Sequence, residues 1–287
     1  MTDNVNVHYK DTVFRLLFSD KARLLSLYNA LSPNHCDNPD LLKVVTLDDA
    51  IYMEVKNDIA FLVGTDIHLW EHQSTTNPNM PLRFLEYIAA EYQKLIETNK
   101  KNLYSRTLIK LPQPQFVVFY NGTEDTADHE VMKLSNAFEG EGKPLTLELV
   151  ADMYNINAGR NNALLDACAA LKGYAYFVSR IRENRKTMPF DHAVKKSVDE
   201  CIRDGILEDF LRSNRSEVVG MSIFEFDREE HDRQQREEGW LGAFYEMVKK
   251  KLLSLSIAAS EVGQSEEDFA AGMQEYFAKH AHSLVDV

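Results

Sequence analysis

The sequence predicts an α/β fold, with a mixed sheet flanked by helices and a mainly helical C-terminal region after it. Two observations lead to this prediction. In the first half, strand-like apolar segments alternate with helical ones, an order typical of α/β domains. In the second half, the apolar residues recur at helical spacing only. We therefore expect a core at residues 1–155 and a helical region at 156–287, which would regulate the core or form a dimer.

The strand signals are clearest in three segments. "DIAFLVG" (58–64) and "DIHLWEHQ" (66–73) are separated by a short turn at Gly64-Thr65, which predicts a β-hairpin. "PQFVVFYNG" (114–122) predicts a further strand that ends at Asn-Gly. Together with the helices between them, these strands predict a mixed sheet.

Two segments of this half predict helices. Residues 9–31 carry apolar side chains at helical spacing, and Ser19-Asp20 could cap a restart of the helix. "PNMPLRFLEYIAAEYQKLIETNKK" (78–101) has an apolar face at the same spacing, with Pro81 in its first turn. The helices would cover the sheet.

The composition narrows the class of protein. Hydrophobic residues make up 44% and charged residues 27% of 287 residues, which is ordinary for a soluble globular protein. The net charge of −13 argues against tight non-specific binding to DNA. Three cysteines without a C-x-x-C spacing fit a reducing cytoplasm. No apolar run approaches the roughly 18 residues of a membrane span, so we expect a cytoplasmic protein that does not enter a membrane.

The end of the second strand combines residues that can carry chemistry. Side chains alternate along a strand, so Glu71 and Gln73 share one face and His72 points to the other. If the hairpin pairs about Gly64-Thr65, Asp58 lies near Glu71, and the register decides whether they share a face. Two carboxylates with water and phosphate suit Mg²⁺, whereas the alternative is that both residues simply face water.

The order of these motifs resembles a known family. Asp58 with "EHQS", followed by "NPNMPLRFLEYI" and "LPQPQFVVFYNG", resembles the recombination-promoting nuclease / putative transposase family of the PD-(D/E)XK nuclease superfamily. "YKDTVFRLLFSD" and "ILEDFLRSNRSEV" resemble its opening helix and C-terminal part, so the resemblance spans most of the chain. It implies a restriction-endonuclease-like fold that hydrolyses DNA with Mg²⁺, or with Mn²⁺ in its place, in recombination, mobile elements or phage defence.

The resemblance also implies roles for individual residues. Asp58 and Glu71 match the family's metal ligands, and the backbone carbonyl of His72 could be another ligand. Gln73 stands where the superfamily usually has lysine; a glutamine can orient a water but carries no charge. Asp11 matches a position from which related enzymes supply a further acidic group.

Three more residues could contact the substrate. Arg83 and Tyr87 lie four residues apart on one helix and therefore face one direction. Arg83 suits phosphate recognition, and packing along the surface is the alternative. Lys56, in "EVK" before Asp58, could supply a relocated cation to the site.

Two functions from different classes follow from these residues. The first is a magnesium-dependent DNA endonuclease, acting as a homodimer in which each subunit addresses one strand. The second is a catalytically weak or inactive protein that keeps the nuclease fold as a module for binding DNA or protein. Asp58, Glu71 and Gln73 together favour the enzyme, whereas the acidic surface and the missing lysine favour the module.

Overall fold

One mixed sheet forms the centre of the protein. The computed structural model describes residues 9–45, 58–139 and 144–280. The strands of these residues are β1 (Leu42–Val45), β2 (Asp58–Val63), β3 (Asp66–Gln73), β4 (Gln113–Tyr120), β5 (His129–Lys133) and β6 (Val150–Asn155). They lie in the order β1-β2-β3-β4-β6-β5. The pairs β3–β4 and β4–β6 are parallel, and the other three are antiparallel. The predicted α/β class with a mixed sheet is confirmed.

The hairpin of β2 and β3 has the register on which the sequence argument depended. Its turn contains Gly64 at φ +59°, a left-handed conformation that glycine adopts without steric cost. The strands pair antiparallel, and Asp58 is the direct cross-strand partner of Glu71. Directly paired positions of two strands lie on the same face of a sheet. Positions 58 and 71 therefore share a face.

The helices precede, cover and follow the sheet. They are α1 (Tyr9–Phe18), α2 (Lys21–Leu31), α3 (Met80–Thr98), α4 (Asn162–Ala167), α5 (Ala169–Arg185), α6 (Phe190–Arg203), α7 (Glu208–Ser213), α8 (Arg215–Lys249), α9 (Leu255–Glu261) and α10 (Glu266–His280). The predicted break between α1 and α2 is confirmed. The Asp20 carboxylate accepts a hydrogen bond of 2.9 Å from the backbone N–H of Arg23, which caps α2.

Helices bury both faces of the sheet. The face that bears Glu71 packs against α3 in a cluster of Ile67, Leu69, Phe116, Val118, Met80, Phe84 and Ile88. The other face packs against α1, α2 and α5 in a cluster of Phe61, Trp70, Phe119, Phe14, Leu17, Tyr28, Tyr174 and Phe177. Each large apolar side chain buried in this way contributes roughly 1.5–3 kcal/mol. Residues 67–73 of β3 are therefore buried throughout, although three of them are polar or charged at its end.

The chain divides into two compact units, residues 1–226 and 227–287, and the division falls within α8. The change from strands to helices expected near residue 155 coincides with the end of β6. The first unit nevertheless continues past it, because Phe177, Val198 and Phe210 share one core with the sheet. The second unit has a small core of its own around Tyr245 and Phe269. Among the helices of the described residues, none has the length and apolarity needed to cross a membrane.

Candidate active site

The side chains of Glu71 and Gln73 meet under α3. They are two residues apart on β3, so the pleat directs both to the same face. The Gln73 amide Nε2 donates a hydrogen bond of 2.8 Å to Glu71 Oε1. Glu71 is 3% exposed, which is unusual for a carboxylate, and such burial requires partners. Gln73 provides one of them.

Arg83 provides the second partner. Its Nη1 lies 2.9 Å from Glu71 Oε1, while Nε and Nη2 donate to the Tyr87 hydroxyl at 2.9 and 2.6 Å. The spacing of four residues on α3 brings Arg83 and Tyr87 together, as the sequence predicted. The Arg83 side chain is 37% exposed, so it pairs with a buried carboxylate and still presents part of its surface to solvent.

Among the described residues, no donor reaches the second oxygen of Glu71. Both partners bind Oε1, and Oε2 is buried without a hydrogen-bond partner in the part of the chain that the structure describes. Burial raises the pKa of Glu71, the Arg83 guanidinium and the Gln73 hydrogen bond oppose this, and the charge of Asp11 adds to it. A cation at Oε2 would favour the ionised carboxylate and satisfy the buried oxygen.

Of the predicted residues Asp58 and Lys56, the structure describes only the backbone of Asp58. The backbone of Asp58 pairs with that of Glu71, so the two predicted metal ligands occupy adjacent positions at one end of the hairpin. Lys56 lies outside the described residues, and its expected contact with the substrate stays a prediction. Among the side chains that the structure describes, no three His, Cys, Asp or Glu gather as a metal cluster.

Asp11 and His72 meet on the opposite face of β3. His72 Nδ1 lies 2.5 Å from Asp11 Oδ1, and its Nε2 lies 3.1 Å from the Tyr174 hydroxyl. The ring also packs against Phe14, with centroids 4.8 Å apart. Burial lowers the pKa of His72, while Asp11 acts to raise it. The imidazole therefore faces the core, as strand alternation predicted, and the role of the His72 carbonyl as a metal ligand stays a prediction.

This placement changes the interpretation of Asp11. The sequence suggested a further acidic group beside the metal ligands, but the Asp11 carboxylate contacts His72 on the other face of the strand. Its charge still raises the pKa of Glu71, so the two carboxylates lie within electrostatic range. Asp11 is thus able to influence Glu71 through the field and to orient the end of β3 through His72.

Two cations at this end of the sheet were missed by the sequence argument. Lys10 Nζ and Arg182 Nη2 donate to the backbone carbonyl of Asn121 at 3.1 and 2.7 Å, directly after β4. Asn121 in turn donates its backbone N–H to the Gln73 carbonyl at 2.8 Å. Lys10 is 3% exposed. Its position in the sequence next to Asp11, a predicted site residue, could have identified it as a residue near the site. Arg182 had no local signal, because α5 brings it to Asn121 from 61 residues away.

The end of β3 thus collects a buried carboxylate, an amide and an arginine on one face. A buried aspartate–histidine pair lies on the other face, and two further cations lie beside them. Comparisons with protein-family models, with curated proteins and with solved structures found no match. The chemistry of this chain therefore rests on its own residues and geometry.

Proposed function

We propose that the protein is a magnesium-dependent DNA endonuclease that hydrolyses phosphodiester bonds, with Mn²⁺ able to replace Mg²⁺. The observation that carries the proposal is Glu71. Its position pairs directly with Asp58, and its Oε2 is buried without a partner in the described residues. A buried carboxylate oxygen is costly unless it is satisfied, and a divalent cation would satisfy it. The hairpin, α3 and parallel β4 are also consistent with a restriction-endonuclease-like fold.

The residues of the site divide the work. Asp58 and Glu71 would hold the ion, and a bound Mg²⁺ would polarise the phosphoryl group and lower the pKa of a bound water. Arg83, held by the Tyr87 hydroxyl, would contact a phosphate oxygen of the substrate through its exposed part. Gln73 would position Glu71 through their hydrogen bond.

The second candidate is an inactive protein that keeps the fold to bind DNA or another protein. One observation favours it. The Glu71 carboxylate already has an ion pair with Arg83 and a hydrogen bond from Gln73, so its charge is largely compensated without a metal. Gln73 also lacks the positive charge that would stabilise the transition state.

Cleavage of a supercoiled plasmid separates the two candidates. We expect nicking by the wild type in Mg²⁺ or Mn²⁺, and at least a roughly 100-fold loss in Asp58→Asn and Glu71→Gln, as when a preorganised charge is removed from an active site. Gln73→Lys should cleave faster than the wild type, because it adds a cation. Glu91→Gln is the matched control, since Glu91 is another buried glutamate, 2% exposed, on α3.

A second experiment tests metal binding separately from cleavage. A thermal melt in Mg²⁺ should raise the unfolding temperature of the wild type but not of Glu71→Gln, because a ligand of the folded state stabilises it. A shift without cleavage would favour the inactive module. Cleavage that is equal in all variants would rule out this site. A solution mass of twice 32.9 kDa would support the homodimer expected from the sequence.

A further inference from the structure

A loop rich in basic residues joins α3 to β4, although the chain as a whole has a net charge of −13. This α3–β4 loop comprises residues 99–112. No acidic residue occurs between Glu97 and Glu124, although the chain has 45 acidic and 32 basic residues. Its four basic residues are Lys100, Lys101, Arg106 and Lys110. The loop is therefore a local positive surface on an acidic protein, which favours an anionic partner.

Large apolar side chains project from the same loop into solvent. Tyr104 is 97% exposed, Leu103 70% and Leu108 76%. The loop is held in place while presenting them: the Tyr92 hydroxyl donates to the Pro112 carbonyl at 2.7 Å, and Lys101 Nζ donates to the Lys110 carbonyl at 3.3 Å. An aromatic ring offered to solvent beside cations is the arrangement on which unstacked bases bind.

A cavity of about 310 Å³ adjoins the loop. Its apolar wall comes from β2, α3 and the end of the loop, namely Leu62, Leu95, Ile96, Leu111 and Pro112. Polar groups complete the lining, namely Thr65, Asn99, Lys101 and Lys110. An apolar wall with two lysines beside it suits a planar base whose phosphate lies outside. A base held inside a duplex could not enter it.

We propose that the α3–β4 loop and this cavity form a binding site for single-stranded nucleic acid. Tyr104 stacks on one base, the cavity accepts a neighbouring base, and the four cations contact phosphates. Gln113, at the start of β4, pairs with Asp66, whereas Gln73 pairs with Tyr120 at the other end. Seven residue steps of about 3.3 Å separate these ends by about 23 Å. The binding site is therefore distinct from the candidate active site and goes beyond the proposed hydrolysis.

Fluorescence anisotropy in EDTA tests this proposal without any cleavage. The probes are a labelled oligothymidylate of twenty nucleotides and a duplex of the same length. We expect the single strand to bind more tightly than the duplex, and Tyr104→Ala to weaken its binding roughly 5- to 150-fold, the range for loss of one base stack. Tyr104→Phe should bind like the wild type, because the aromatic face remains.

Charge variants test the phosphate contacts. In a plot of log affinity against log salt concentration, each lysine of the loop changed to glutamine should reduce the slope by about 0.7. Lys186→Gln is the matched control, an exposed lysine on the turn after α5. Heparin, a polyanion without bases, should bind Tyr104→Ala as it binds the wild type.

Three outcomes would overturn the proposal: no binding of the single strand, equal binding by Tyr104→Ala, or binding of anionic lipid vesicles in place of the oligonucleotide. Binding at the loop by a protein that does not cut plasmid would leave this proposal standing and remove only the enzyme. Cutting that persists in Tyr104→Ala with unchanged oligonucleotide affinity would do the reverse.

Discussion

His68 on β3 offers a direct test of the buried core, through the variant His68→Phe. Its ring stacks on Phe61, with centroids 4.8 Å apart and planes at 13°, and meets Tyr28 edge-on at 5.1 Å. Its Nε2 is buried and has no hydrogen-bond partner within the described residues. Phenylalanine keeps the aromatic packing and removes the unsatisfied nitrogen. We therefore expect the variant to be at least as stable as the wild type at pH 7.

The size of the His68 effect follows from how the free energy of unfolding depends on pH. Burial lowers the pKa of His68 from 6.5 to about 4, against a smaller opposing effect of Asp66. Between pH 7 and pH 5 the unfolded chain binds a proton at this residue that the folded chain does not. Well above pH 6.5, His68 therefore has no effect of this kind on the free energy of unfolding. The free energy of unfolding then decreases as the pH falls through 6.5 towards 4. Over these two pH units, His68 should remove about 2 kcal/mol from the free energy of unfolding.

Urea unfolding at pH 7 and pH 5 measures this difference. A Trp240→Phe background leaves Trp70, which is 1% exposed, as the fluorescent reporter of the first compact unit. The wild type should lose about 2 kcal/mol more than His68→Phe between the two pH values. His192→Gln, at an exposed histidine, is the control and should follow the wild type. Equal losses in the wild type and His68→Phe would refute a buried, neutral His68.

The remaining predictions concern the buried pair and the end of the sheet. Asp11→Ala should lower the free energy of unfolding by about 2–3 kcal/mol, because it leaves Nδ1 of buried His72 without its partner, and Asp11→Asn should cost less; equal urea midpoints would contradict this. Gly122→Ala should destabilise by about 1–3 kcal/mol, since its Cβ would overlap the Ser74 carbonyl. Gly220→Ala, in open space on α8, should instead stabilise the protein by roughly 0.5–1 kcal/mol. A thermal melt in which Gly122→Ala is more stable than the wild type, or Gly220→Ala less stable, would contradict these predictions.

The local parts of the fold were predictable from short stretches of sequence. Alternation in "DIHLWEHQ" placed Glu71 and Gln73 on one face and His72 on the other, and the turn at Gly64 predicted the hairpin. The helix after the site followed from its apolar spacing. These features depend on contacts between near neighbours, which is why periodicity alone is informative about them.

Contacts between distant segments could not be predicted in this way. The sequence predicted the residues that end β3 and the faces on which they lie. Only the tertiary structure decided that Glu71 pairs with Asp58 and binds Arg83, that Asp11 turns to His72, and that α5 extends the first compact unit beyond residue 155. The physical reason is that register and burial depend on how whole elements pack, and a shift of one residue would send every side chain of a strand to the other face.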